Sequence, residues 1–347
     1  MVKTIKDSRN TKLSQVDGAH AYAELRQAVV AEGILNRSYG YYALVLLFVF
    51  TGFFFSFYNL YIHNSYLTLF YWCLFFSFFA VQLGGFMHDT GHRAVFKSSK
   101  INDALGYAVC TMLALRFRNW KVKHNMHHAH PNQEEADTDI EIPFFFTEER
   151  YRKNSQGLRA FIRKYQAFLF YPIGSLVAFS MRITAFRDYK KNVAKEQPWE
   201  IILFFASLFI WFVLPFLLFE PLKAMFIILV VNLAMGFYLM NIFAPNHKGM
   251  VEIGKGVKLS FVEQQIITAR NINSHWLTDF IYMGLNYQIE HHLFPNCPRN
   301  KLKYLTPLVK KLCRTRRLGY TNVSVFESSK IILTELNSVS KLGKKHS

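Results

Sequence analysis

The residues best suited to chemistry in this chain are histidines, and most of them come in clusters. Of 13 histidines, seven fall in three short stretches: His88-Asp-Thr-Gly-His92, His124-Asn-Met-His127-His128 and Gln288-Ile-Glu-His291-His292. Within each stretch the spacing is three or four residues, which on a helix brings the side chains onto one face. Three such faces, far apart in sequence, read as one metal site assembled by the fold. A structural zinc takes four ligands and a catalytic zinc three, so seven imidazoles favour two metals. Imidazole alone suits zinc, copper, iron and nickel. A histidine-rich two-metal site at a membrane surface, built without cysteine, points to non-haem iron that activates oxygen. Asp89, Asp137, Asp139 and Glu290 lie in or near the clusters and are natural partners for the outer nitrogen of a ligand imidazole. His20, His63, His275 and His346 are isolated, and surface or satisfied core positions are the expectation for them. His130 lies off the spacing of the second cluster and is left outside the site.

The elements that must position these residues are apolar. The 347 residues are 51% hydrophobic and include 35 Phe. Four uncharged runs, Tyr41–Ile62, Tyr66–Met87, Ile201–Phe219 and Ala224–Pro245, approach or exceed the roughly 20 residues a bilayer crossing needs. His63-Asn64-Ser65 joins the first two, and Glu220 to Lys223 joins the last two, so each pair reads as a helical hairpin. The first cluster begins where the second run ends, and Asn246-His247 follows the fourth run directly. The expected fold is therefore an all-α integral membrane protein: four transmembrane helices in two hairpins under a cytoplasmic helical cap that carries the two-metal site. Residues 1–40 form a cytoplasmic segment, with an amphipathic helix expected over Asp17 to Leu35. Residues 41–327 form the main domain, and 328–347 a Ser- and Lys-rich tail expected to fray.

Charge tests that topology. The 41 Lys and Arg residues give a net charge of +18. Six lie in residues 1–40, 18 in 88–199, 16 in 246–347 and one, Lys223, in the short connectors. Basic excess marks the cytoplasmic side, which puts all three clusters in one compartment. The apolar runs make a membrane surface or an acidic protein the expected partner of the basic face, not nucleic acid. Tyr165–Met181 is uncharged but short, holds Pro172 and Gly174, and has basic flanks. It is expected to lie along the interface, as is Ala104–Leu115. Four cysteines without a CxxC pair suit a reducing compartment.

The three clusters, with the longer strings His-Asn-Met-His-His-Ala-His-Pro-Asn and Asn-Tyr-Gln-Ile-Glu-His-His-Leu-Phe-Pro, resemble the histidine boxes of membrane-bound fatty acid desaturases. The resemblance runs from about Tyr41 to Tyr320. It implies a di-iron centre that uses dioxygen and two electrons to remove two hydrogens from an acyl chain. By position it makes His88, His92, His124, His127, His128, His291 and His292 ligands, with His247 matching an extra histidine after the last spanning helix. Gln288 stands where some members have a histidine, so it binds metal directly, through water or not at all. Asp89, Asp137 and Asp139 match acids associated with the boxes. Gln at that position resembles the front-end branch, which places a double bond between an existing one and the carboxyl end; related acyl-lipid and sphingolipid desaturases share it. The substrate implied is an acyl lipid or acyl-CoA. Many front-end members carry a fused cytochrome b5 domain with a His-Pro-Gly-Gly motif. That motif is missing from this sequence, so electrons are expected from a separate ferredoxin or cytochrome b5. The expected membrane is a bacterial inner membrane or the endoplasmic reticulum, with a slight lean to the former.

The nearest rival is a hydroxylase on the same scaffold. A metal transporter would need ionisable groups within the bilayer, and the four runs hold no charged residue. A structural protein with incidental histidines does not account for three clusters.

Overall fold

Uncharged runs of this length leave the backbone to satisfy its own hydrogen bonds, and the helix does so within one segment. The computed structural model describes residues 4–7, 11–137, 156–190 and 197–341, and these are mostly helical. In chain order they form β1 (Thr4–Ile5), α1 (Gln15–Ala31), α2 (Tyr39–Ile62), α3 (Tyr66–Gly91), α4 (Ser99–Leu113), α5 (Phe117–Ala129), α6 (Gly157–Gly174), α7 (Val177–Lys190), α8 (Pro198–Phe212), α9 (Leu214–Leu218), α10 (Pro221–His247) and β2 (Glu252–Ile253). Then follow α11 (Phe261–Ile267), β3 (Asn271–Ile272), α12 (Trp276–Ile281), α13 (Gln288–Leu293), α14 (Leu302–Thr315), β4 (Asn322–Val323) and α15 (Val325–Lys341). The all-α expectation needs one small correction. β1 pairs with β2, and β3 with β4, in two-residue parallel ladders.

Among the described residues, α2, α3 and α10 are long and apolar enough to cross a membrane. The run Ile201–Phe219, expected as one span, instead breaks at Val213 into α8 and α9. Pro215 explains the break: it has no N–H for the Trp211 carbonyl, and its ring crowds that turn. Tyr165–Met181 is likewise interrupted, between α6 and α7, at Ser175 and Leu176. Gly236 permits this. A Cβ there would lie 1.9 Å from the Ser175 carbonyl oxygen, so only glycine lets α10 pass so close. The tail expected to fray is helical to Lys341, because Ile332, Leu336 and Val339 recur at helical spacing and are buried.

The chain forms two compact units. One comprises Arg37–Val122 and Gly174–Asn241. Its centre is the α2–α3 hairpin, where the rings of Phe53 and Phe76 pack at a tilt with centroids 4.5 Å apart. Lys223, the only basic residue in the short connectors, ties them together. Its ammonium donates to the carbonyls of Tyr61 (3.3 Å) and His63 (2.7 Å) and to Asn64 Oδ1 (3.0 Å).

The other unit comprises Met1–Asn36, Lys123–Ile173 and Ile242–Ser347. Ser14 caps α1 by accepting from the Asp17 N–H at 3.0 Å. Ala21, Leu25 and Val29 follow at helical spacing and enter a core with Ile289, Leu293, Leu302, Leu305 and Val309. That core holds α13, the short helix bearing the third cluster, between α11 and α14.

Candidate metal centre

Three structural ends deliver histidine within the second unit. α5 carries His124, His127 and His128; the last turn of α10 carries His247; α13 carries His291 and His292. Each end is fixed by polar groups outside the clusters. Asn271 Oδ1 accepts from the Ile289 N–H at 2.9 Å, capping the first turn of α13. The fully buried Arg270 closes α10 by donating to the carbonyls of Pro245 (2.7 Å) and Lys248 (2.9 Å). These carbonyls flank His247 at the helix end, where intrahelical donors run out, and the Ser328 hydroxyl also donates to the Pro245 carbonyl at 3.2 Å.

The six imidazoles sort into two trios. In the first, His127, His247 and His292 bring candidate ligand atoms within 4.8 Å of one another. Their Nδ1 atoms face acceptors. His127 Nδ1 lies 2.9 Å from Asp137 Oδ2, His247 Nδ1 3.0 Å from the Thr268 carbonyl, and His292 Nδ1 2.8 Å from Gln265 Oε1. A carbonyl accepts only, so Nδ1 of His247 carries the proton and its Nε2 keeps a lone pair. Gln288 Nε2 lies 2.9 Å from that Nε2, and Gln288 Oε1 accepts from Asn246 Nδ2 at 3.0 Å. The supports are themselves held. Asp137 Oδ2 also accepts from the Asn132 N–H at 2.8 Å. The Asn132 side-chain amide donates to the carbonyls of His247, Val251 and Thr268.

In the second trio, Nε2 of His128 lies 3.2 Å from Nε2 of His124 and 3.1 Å from Nε2 of His291. Neutral imidazoles cannot all aim lone pairs at one point at that separation without repulsion. A proton or a metal ion between them removes it. Gln265 links the two trios, since its Nε2 donates to the His128 carbonyl at 3.1 Å while its Oε1 holds His292.

His88 and His92 belong to the first unit, one turn apart at the end of α3 with ring centroids 4.7 Å apart. His88 Nδ1 lies 3.2 Å from Asp89 Oδ1, and Tyr42 donates to Asp89 Oδ2 at 2.7 Å. Gly91, inside the motif, leaves room for an indole: a Cβ there would sit 2.6 Å from Trp120 Cζ3.

Glu290, expected beside an imidazole, turns elsewhere. It is fully buried and accepts from Tyr320 Oη (2.7 Å) and Asn271 Nδ2 (2.6 Å). Burial raises its carboxyl above the ordinary range, and these hydrogen bonds act against that shift. Adjacent residues on a helix point about 100° apart, so Glu290 and His291 face different neighbours. Asp139 lies outside the described residues, as does His346. His130 turns to Gln133 Oε1 at 3.1 Å, and His275 caps α12. Gln265, Thr268, Asn132, Asn246, Arg270 and Tyr42 carry no signal in the cluster spacing. Only their tertiary partners mark them.

Known proteins are similar to this chain in sequence. The family described as Fatty acid desaturase matches residues 64–324. The chain belongs to that family. It is 28% identical to the Delta(5) fatty acid desaturase fat-4 of Caenorhabditis elegans, over 91% of this chain and 72% of the relative. It is 31% identical to an acyl-lipid (9-3)-desaturase of Physcomitrium patens, over 75% of this chain. It is also 26% identical to a Delta 8-(E)-sphingolipid desaturase of Emericella nidulans, over 94% of this chain. The matches span about half of the Physcomitrium protein (51%) and 63% of the Emericella one.

Proposed function

We propose that this chain desaturates a long-chain acyl group by an oxygen-dependent reaction of the front-end type, at a histidine-held pair of iron ions. The observation that carries the reading is the convergence of Nε2 atoms in the trio His124, His128 and His291, at 3.1 and 3.2 Å. The donor set suits the group: imidazole nitrogens gathered inward, with carboxylate, amide and carbonyl acceptors at outer nitrogens. His127, His247 and His292 would hold one ion, and His124, His128 and His291 would contribute to the other. His88 and His92 complete the eight ligands that the sequence supplies. When bound, the iron pair supplies the oxidising power of dioxygen and two electrons, so that two hydrogens leave adjacent methylenes and water forms.

The protein's own residues do the positioning. Asp137, Gln265 and the Thr268 carbonyl keep their imidazoles in the Nδ1–H tautomer, which points a lone pair inward. Gln288 stands at the inner nitrogen of His247, where its amide reaches the site directly or through water. Burial of His127, His291 and His292 keeps bulk water from this face. Asp89, braced by Tyr42, does for His88 what Asp137 does for His127.

In the membrane, α2, α3 and α10 are three crossings and the broken pair α8–α9 is the fourth. The basic segments 1–40, 88–199 and 246–347 face the cytoplasm by charge, and the helical cap with its iron lies there. The membrane is a bacterial inner membrane or the endoplasmic reticulum. The substrate is an acyl lipid or acyl-CoA, and ferredoxin or cytochrome b5 supplies the electrons.

The test is a fatty-acid profile, by gas chromatography and mass spectrometry, of a host fed linoleic acid and given such a donor. The expected result is a new polyunsaturated product that disappears in His127→Ala. A hydroxylated product instead would assign the chain to hydroxylation on the same scaffold. No product together with no bound iron would overturn the reading.

A further inference from the structure

The segment from His291 to Phe326 contains eight Lys and Arg residues and no Asp or Glu. Most of this charge sits on α14. Leu302, Leu305, Val309 and Leu312 face the core, while Lys303, Lys310, Lys311 and Arg314 fall on the opposite face by helical spacing. Lys303, Lys311 and Arg314 are exposed, and the exposed ring of Tyr304 lies beside them. At the edge Arg316 pairs with Glu24 at 3.2 Å.

Two observations say what covers this face. The first is a contrast with α6, which also combines basic and apolar residues. α6 exposes Leu158 (69%), Phe161, Tyr165 and Phe168 (81%) at helical spacing beside Arg159, Arg163 and Lys164. That is the pattern of a helix sunk into a lipid interface. α14 offers charge and one tyrosine, with no large aliphatic or Phe side chain to sink, which suits an acidic protein surface.

The second observation is where α14 leads. The Lys310 ammonium lies 5.2 Å from the centroid of the Tyr320 ring. Tyr320 donates to Glu290 at 2.7 Å, Asn271 bonds both of them, and Glu290 is bonded in sequence to His291. A cation–π contact from half-buried Lys310, at the edge of this surface, followed by hydrogen bonds through Tyr320 and Asn271, thus leads to Glu290, the residue before His291 of the second trio.

We propose that the outer face of α14, centred on Lys303, Lys311 and Arg314, is the docking surface for an acidic one-electron carrier protein. The inference rests on the desaturase reading, which needs two electrons for each double bond. The carrier is oxidised by one electron at each docking, and two dockings supply one turnover.

The experiment uses the full chain in detergent with a soluble cytochrome b5 domain as the probe. Binding is measured directly, and turnover is measured with that carrier and, separately, with a small chemical reductant. In Lys303→Glu/Lys311→Glu/Arg314→Glu, carrier affinity is expected to fall about 10-fold or more and to lose much of its salt dependence. Bound iron, melting temperature and turnover with the small reductant should match wild type. Equal carrier affinity and an equal salt slope in both proteins would overturn the docking proposal and leave the desaturase reading intact. Loss of binding to phosphatidylserine vesicles, with carrier binding unchanged, would assign the face to the membrane instead. Absence of product with either reductant, in iron-loaded wild type, would overturn the functional reading and the docking proposal together.

Discussion

The two histidine trios are held from opposite sides. His127, His247 and His292 are gripped at the outer nitrogen, by Asp137, the Thr268 carbonyl and Gln265. His124, His128 and His291 meet at the inner nitrogen, with His128 at the centre. Outer anchoring sets tautomer and ring angle before an ion arrives, so the first trio is organised in advance. Inner convergence brings Nε2 atoms to hydrogen-bonding distance, where a proton or a cation has to lie between them, so the second trio is completed by what it binds. A metal should therefore order the second trio, whereas in the first it has only to displace the Gln288 amide from His247.

Four variants separate the trios. His128→Ala has the largest expected effect, since it removes the centre of the second trio. Iron by elemental analysis should fall to about one per chain or less, and desaturation should be lost. Asp137→Ala comes next. It releases His127 and the Asn132 N–H together, and partners of this kind are worth about 10- to 100-fold in metal affinity; competition with a chelator measures that loss. Gln265→Ala should weaken iron binding by about 10-fold, the low end of that range. Because Gln265 touches both trios, spectroscopy should show both sites disturbed, whereas Asp137→Ala disturbs the first alone.

The smallest effect on metal is expected from Glu290→Gln. The substitution sets an amide donor against Tyr320 or Asn271, which costs about 1–3 kcal/mol of stability. Iron content should nevertheless stay near wild type, because neither hydrogen-bonded oxygen serves an imidazole. A loss of iron comparable to that of Asp137→Ala would mean that Glu290 acts on the site after all.

Much of the fold was legible because helices report themselves locally. α2, α3 and α10 follow from uninterrupted apolar runs, and α3 runs on through His88 as its spacing requires. The break at Val213 was also written in the chain, in Pro215, but run length outweighed it. The helical tail was legible in the spacing of Ile332, Leu336 and Val339, where Ser and Lys content suggested fraying instead. Ser175 and Gly236 lie 61 positions apart, and no local pattern announces that close approach.

The sequence by itself determined the donor inventory: which residues can bind metal, at what helical spacing, and that His88, His92 and His247 ride on the ends of long apolar helices. It also determined the family, because the clusters and the strings around them are one-dimensional patterns. Only the tertiary structure decided which partner each donor takes. Hydrogen-bond partnership depends on side-chain direction and on contacts between distant segments. Glu290 follows an isoleucine and precedes a histidine, yet it bonds Tyr320, 30 residues away. Gln265, which lies in no motif, holds His292 because α11 packs on α13.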